Sequence, residues 1–265
     1  MRQRFLTKAG GRSLDAAEVP KIYQAQGEKA SPSWCQAFAE GCGGTITQSQ
    51  TIKDGPVALF GSPRLRNVLQ EAQAQGRTWY YGDKAYFGRD VYYRTTKNAL
   101  QYTDFKLNAT PHRLERTGMR IKPWRTGGKK ILICPQSELH HAWLGAPQQQ
   151  WVQMVQTELA KHTKKKTALR FKTWSRAEQD FELALEGVYA VVVFTSIAGV
   201  QATIHGVPCF ATHDCASARF GSMDLSRIED PVRPDNREQM AWELADNQWT
   251  LLEMRSGMAW EHLTK

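Results

Sequence analysis

Val188-Tyr-Ala-Val-Val-Val-Phe194 runs directly into Thr195-Ser-Ile-Ala-Gly-Val-Gln-Ala-Thr-Ile-His-Gly-Val-Pro-Cys-Phe210. A short continuous apolar run that ends in small residues reads as a strand buried on both faces, as in parallel sheets. The small-residue turn then opens a helix, Gly206 closes it, and a second strand follows at Pro208. The first N–H groups of a helix have no intrahelical partner and sit at the positive end of its dipole, so such a turn suits a phosphate. Thr195 and Ser196 add hydroxyls, the N–H groups of Ala198 and Gly199 face the expected ligand, and the small side chains allow close approach. The same residues also fit an ordinary βαβ crossover whose small side chains serve only packing, and turn composition does not separate the two.

Around this stretch the second half of the chain alternates. Strands are predicted near 130–134, 168–172, 188–194 and 207–211, and helices near 149–161, 176–186 and 198–205, a pattern that argues for a parallel sheet covered on both faces. Ahead of it, Pro56-Val-Ala-Leu-Phe60 and Thr78-Trp-Tyr-Tyr81 read as strands separated by a helix that Gly61-Ser-Pro63 opens and Gly76 ends. A weak helix around Ser33 to Glu40 stops at Gly41-Cys-Gly-Gly44. Residues 111–128 carry arginines, prolines and paired glycines without a hydrophobic period and read as a connection between two α/β lobes. The expected layout is a first lobe over 1–110, that linker, and a second lobe over 129–265 with a helical tail. Trp242, Trp249 and Trp260 in the tail fit packing anchors at helical positions better than a carbohydrate platform.

Composition bounds the function. The 265 residues are 41% hydrophobic with a mean hydropathy of −0.53, and the composition carries no signature of disorder. No apolar run approaches the roughly 20 residues of a membrane span, and the N-terminus lacks the apolar segment of a signal peptide, so the expected location is the cytoplasm. Five scattered cysteines fit reduced thiols rather than a disulfide frame or a zinc site. The net charge of +9 favours anionic partners, whether nucleic acid, acidic glycan or nucleotide sugar. The basic run from Lys161 to Lys166 closes a helix, where cations suit the dipole, and reads as a solvated end.

The second informative segment is Tyr80-Tyr-Gly-Asp-Lys-Ala-Tyr-Phe-Gly-Arg-Asp-Val-Tyr-Tyr-Arg-Thr-Thr-Lys-Asn-Ala-Leu-Gln101. A strand delivers Asp83 to its end, where open α/β sheets place ligand loops. Lys84, Tyr86, Arg89, Tyr92, Tyr93, Arg94, Lys97 and Asn98 follow, a concentration of donors and rings that fits either a binding surface or a polar loop with buried tyrosines.

These features together resemble GT-B glycosyltransferases. The step from strand through Thr-Ser-x-x-Gly and helix to Gly-Val-Pro-Cys is similar to the phosphate-gripping element in the C-terminal half of that fold. Ile131-Leu-Ile-Cys-Pro-Gln-Ser137 and Thr167-Ala-Leu-Arg-Phe-Lys172 resemble its first strands. The likeness runs over roughly residues 57–263 and is nearest to capsule-polysaccharide-type transferases and to glycosyltransferase-like proteins of phages, which also share the block around Asp83. The resemblance implies two Rossmann-like lobes, each with a parallel sheet, and a tail that crosses back to the first lobe. It implies a nucleotide diphosphate sugar, a UDP-sugar first, as co-substrate, with no tightly bound cofactor and no metal. Gln136, Ser137, Arg170, Lys172, Thr195, Ser196, Ala198 and Gly199 would then hold the donor, and Asp83 would take the acceptor proton or else serve as a loop cap. His213 and Asp214 would be donor-side or a plain turn. No Glu-x7-Glu ribose clamp follows the phosphate loop, which leaves the donor open. With the basic charge, the phage likeness points to DNA carrying a hydroxymethylated pyrimidine, gripped by Lys84, Arg89, Arg94, Lys97 and Asn98 with Tyr86, Tyr92 and Tyr93 among the bases. Transfer to a surface or capsular glycan, a non-catalytic nucleotide-sugar or nucleic-acid binder, and a sugar epimerase remain the alternatives.

Overall fold

The computed structural model describes residues 19–27, 31–61, 63–171 and 177–265. The chain divides into two compact units, Met1–Gly82 with Leu251–Lys265, and Asp83–Thr250. Among the described residues the strands are β1 (Lys21–Tyr23), β2 (Thr45–Thr47), β3 (Val57–Phe60), β4 (Trp79–Lys84), β5 (Tyr92–Lys97), β6 (Lys130–Cys134), β7 (Lys166–Leu169), β8 (Val188–Val193), β9 (Cys209–Ala211) and β10 (Gln248–Thr250). They form two sheets, ordered β10-β5-β4-β3-β1-β2 and β7-β6-β8-β9.

The two sheets repeat one topology. In the first, β1 pairs in parallel with β2 on one side and with β3 on the other, and β4 follows β3. In the second, β6 pairs in parallel with β7 and with β8, and β9 follows β8. In each, the chain leaves its first strand to one side and then returns to the other. The crevice between β1 and β3, and that between β6 and β8, is therefore a topological switch point, where open α/β sheets bind ligands. This is a mixed α/β fold of two Rossmann-like sheets with helices at the C-terminus.

The second sheet is built as its sequence dictates. Ile131, Ile133, Ala190, Val192 and Phe194 point to one face, under Trp151, Val155 and Leu159 of the helix Gln148–His162. Leu132, Cys134, Val191 and Val193 point to the other, against Phe181, Leu185 and Ala202. Period-two alternation with both faces covered is what turns these strands into unbroken apolar runs, each large side chain contributing about 1.5–3 kcal/mol on burial.

In the first unit Trp34 stacks on Phe38 with ring centroids 4.9 Å apart, and Trp260 of the tail packs on Phe38 and Tyr80. Trp249 and Trp260 are buried, so both are packing anchors, while Trp242 is partly buried against a core cluster. Residues 111–128, expected as an interlobe connection, lie in the second unit. They contain a helix, His112–Arg116, and are pinned where Lys122 N donates to Ile204 O and Arg125 N to Gly206 O. The basic run closing the helix Gln148–His162 is paired: Lys161 with Glu158, and Lys165 with Glu229. The five cysteines are buried free thiols, and burial pushes Cys35, Cys42 and Cys215 up to about 11 and Cys134 to about 12, so they stay protonated as packing groups. Among the described residues no helix is long and apolar enough to cross a membrane.

Candidate functional site

The loops that leave β6, β8 and β9 meet at the switch point of the second sheet. Gln136 follows β6 and bridges to the loop after β8: its Oε1 accepts from Thr195 N at 3.0 Å and from Thr195 Oγ1 at 2.8 Å. An amide N–H only donates, so the Gln136 orientation is fixed. Because the Thr195 hydroxyl proton is committed to Gln136, the His140 Nε2 that lies 3.1 Å from Thr195 Oγ1 is its donor. Thr195 O accepts from Gln101 Nε2 at 2.7 Å, and Gln101 Oε1 accepts from Ala216 N at 3.1 Å. The segment that begins at Asp83 thus ends on the turn after β8, and the two stretches singled out in the sequence are joined through Gln101. Gln136 O in turn accepts from Gln148 Nε2.

Several expected donor residues have structural duties. Ser137 is exposed and caps the helix Glu138–Trp143, its Oγ accepting from His140 N. Arg170 lies after β7 with its guanidinium over the Phe181 ring at 4.9 Å. The amides of the helix Ala198–Ile204 are not vacant: Ala198 N donates to Ser196 Oγ, Gly199 N to Ser196 O, and Val200 N to Ser217 Oγ. Ser217 Oγ also donates to Ser196 O at 2.6 Å, which latches the turn. The Ala198 and Gly199 N–H groups, expected to face a phosphate, are thus engaged by Ser196 within the turn itself. Lys172 lies outside the described residues.

Gly199 has a packing reason. A Cβ there would lie 2.7 Å from both Cβ and Oγ of Ser217 and 3.2 Å from Val193 Cγ2. Gly199→Val is expected to overpack this buried seam and cost about 1–3 kcal/mol, rather than to block a ligand on a sound fold. Denaturant unfolding measures this, and an unchanged midpoint together with lost nucleotide binding would restore the ligand role.

The Asp83 segment is more buried than its composition suggested. Asp83 is 34% exposed, and its Oδ2 accepts from Arg94 Nη2 at 2.6 Å while Oδ1 accepts from its neighbour Lys84 N. Arg94 is 5% exposed and lies over the Tyr86 ring, and Tyr86 is fully buried with its OH accepting from Tyr102 N. Tyr92 and Tyr93 are buried in β5, and Lys84 Nζ lies 4.6 Å over the Tyr93 ring. Tyr86, Tyr92, Tyr93 and Arg94, expected to stack bases and pair phosphates, are all buried in the second unit. Arg89 is partly buried, and Lys97 and Asn98 are exposed at the end of β5, where Asn98 turns with φ 53°.

Of the histidines near this site the sequence pointed to His213 but not to His140 or His141. His141 is fully buried, its ring stacked on Phe194 at 4.3 Å, and His213 meets the same Phe194 edge-on at 4.1 Å. His141 Nδ1 lies 2.9 Å from Ala146 O, and a carbonyl only accepts, so Nδ1 carries the proton and Nε2 is left buried without a partner. His213 and Asp214 are exposed in the loop after β9, with Asp214 paired to Arg219 at 2.9 Å. The only local signal was the pair His140-His141 closely following a strand, which is indistinguishable from an amphipathic helix turn.

Burial holds His141 below the ordinary histidine range, opposed by the Ala146 bond and reinforced by His213; burial also lowers His213. The folded chain then binds fewer protons there than the unfolded one, so stability falls as pH drops below the unfolded value of about 6.5. The melting temperature is expected to decline from pH 7 to 5.5, and to decline less in His141→Phe, whose ring keeps the Phe194 stack. Parallel pH profiles would clear His141 of this role.

No protein-family model matches the chain, and no curated protein does. Solved structures do match. The KpsC beta Kdo 2,7 transferase of Thermosulfurimonas dismutans is 13% identical, with 92% of this chain and 100% of that one covered at a TM-score of 0.52. The KpsC beta Kdo 2,4 transferase of the same organism is 12% identical, with 85% of this chain and 90% of that one covered at a TM-score of 0.50. At these identities the similarity is one of fold, and it extends over most of the chain.

Proposed function

We propose that this chain is a glycosyltransferase that takes a sugar from a nucleotide-activated donor at the β6–β8 switch point and passes it to a glycan. The observation that carries the reading is the convergence of Gln136, Thr195 and His140 at the carboxyl ends of a parallel sheet. It is supported by a fold shared over most of its length with two transferases named for Kdo. Gln136, Ser137, Thr195, Ser196 and Arg170 line up along the donor-side loops, and His140 adds an imidazole to them. A UDP-sugar is the first donor to try, and the Kdo transferases among the structural neighbours add an activated Kdo to the panel.

A glycan acceptor fits better than a hydroxymethylated pyrimidine in DNA, because Tyr86, Tyr92, Tyr93 and Arg94 are buried rather than displayed. Asp83 is not assigned the base here: its oxygens already accept from Arg94 and Lys84, and its observed work is to hold a buried guanidinium.

The test is transfer itself. The protein is incubated with UDP-glucose, UDP-N-acetylglucosamine or an activated Kdo and with a capsular oligosaccharide, hydroxymethylated DNA or plain DNA, and products are read by mass. Addition of one sugar to the oligosaccharide supports the proposal. Addition to the hydroxymethylated base would replace it with the DNA-modifying reading. Nucleotide binding without transfer to any acceptor would leave a binding protein.

A further inference from the structure

A cavity of about 490 Å3 opens in the first unit, and each of its walls comes from a loop at the carboxyl end of a parallel strand. Gln24, Ala25 and Gln26 follow β1, Gln48 and Gln50 follow β2, and Arg64 and Leu65 follow β3. This is the β1–β3 switch point, the counterpart in this sheet of the β6–β8 crevice. The volume lies within the roughly 300–1,000 Å3 of small-molecule sites.

The walls are held in place before any ligand arrives. Gln24 N donates to Thr47 O at 2.9 Å, Ser49 N to Thr47 Oγ1 and Thr51 N to Ser49 Oγ, each at 3.1 Å, so the loop carrying Gln48 and Gln50 folds through successive side-chain turns. Gln26 Nε2 donates to Gln48 Oε1, and Arg64 donates to Gln26 O. Preset walls lower the ordering cost of binding.

The chemistry of the lining selects its occupant. A carboxamide carries two donors and a two-lone-pair acceptor, and a sugar hydroxyl both donates and accepts, so adjacent hydroxyls match amides on both counts. A phosphodiester offers acceptors alone and calls for cations, whereas four of the lining groups are neutral amides and one is an arginine. Among the described residues no aromatic ring lines the cavity to stack a base. Buried Ala25 and Leu65 give the C–H face of a pyranose an apolar floor, and Arg64 adds a fork suited to a carboxylate. We propose that this cavity is a saccharide-binding pocket that takes a sugar by its hydroxyls on Gln24, Gln26, Gln48 and Gln50, with Arg64 favouring an acidic sugar. The pocket names the acceptor class for the glycosyltransferase reading, and rests on that reading for the acceptor role alone.

Saturation-transfer NMR on the full chain tests the pocket, with glucose, glucuronate and a thymidine oligonucleotide as probes. Both sugars are expected to receive saturation, glucuronate more strongly. Gln48→Ala with Gln50→Ala, both exposed positions, is expected to abolish transfer to both sugars, and Arg64→Gln to remove only the preference for glucuronate. Circular dichroism confirms the fold of each variant. No transfer to either sugar, transfer unaffected by the glutamine pair, or transfer to the oligonucleotide that those variants abolish would overturn the proposal. Sugar binding here without transfer from any nucleotide sugar would sink the glycosyltransferase reading and leave the pocket standing; transfer that survives the glutamine variants unchanged would do the reverse.

Discussion

Gln248→Leu is expected to destabilise the second unit by about 3–5 kcal/mol, because each of three buried backbone groups left unpaired costs roughly 1–3 kcal/mol. Gln248 is fully buried at the start of β10. Its Oε1 accepts from both Tyr86 N and Phe87 N at 3.1 Å, and its Nε2 donates to Phe87 O at 2.9 Å. One side chain therefore serves two amides and a carbonyl of the loop after β4, and the rings of Tyr86 and Phe87 sit in the core cluster that includes Val200 and Phe220. Leucine fills similar volume, so the loss is polar. At roughly 2–4 °C per kcal/mol the melting temperature should drop by about 10 °C. Gln248→Glu distinguishes the cause: a carboxylate keeps the acceptor but repels Phe87 O, and a protonated one can donate to it. Its folded pKa would be raised, so that variant should be more stable at low pH than at neutral pH. A midpoint within 1 kcal/mol of wild type for Gln248→Leu would mean that water or a shifted loop satisfies those groups.

The second sheet was legible because of its environment. Strands covered on both faces must be apolar at every position, and Ile131–Cys134 and Val188–Val193 announce themselves. β1, β2 and β10 have three residues each, too few to carry a period. β5 was hidden for a different reason. Tyr92-Tyr-Arg-Thr-Thr-Lys97 looks like a displayed polar surface, yet Arg94, Thr95 and Thr96 are buried. What makes burial of Arg94 tolerable is Asp83, eleven residues away on β4. A sequence shows the charges but not their pairing, and a buried ion pair reads as a binding site.

The candidate site was legible where chain direction alone sets position. Loops after parallel strands all emerge at one end of the sheet, so finding β6 and β8 was enough to bring Gln136, Ser137, Thr195 and Ser196 together. The histidines could not be found this way. His140 and His141 stand side by side in the chain but do opposite things, one reaching Thr195 and the other stacking on Phe194. Nor could the first-unit pocket: glutamines scattered between positions 24 and 50 converge only because β1 and β2 lie side by side.

Gly41→Ala is expected to cost at least about 3 kcal/mol and to unseat the tail, the high end for overpacking because no side chain can yield. Gly41 read as a helix breaker, but it lies inside the helix Ser31–Cys42. A Cβ there would lie 1.9 Å from Met254 O and 3.3 Å from Gly257 Cα. Both are backbone atoms of the tail, so relief requires moving the helix Leu251–Arg255 bodily. That displacement strains the Arg255–Glu40 pair at 3.3 Å and the seat of Trp260 on Phe38 and Tyr80. Two effects of opposite sign compete here. Alanine in a helix interior is worth up to about 1 kcal/mol over glycine, so if the tail did not press on this position the substitution would stabilise. Limited proteolysis and Trp fluorescence read the result: faster cleavage within residues 251–265 and a lower melting temperature follow from the close contact, whereas a gain in stability would show that the tail is not seated against Gly41.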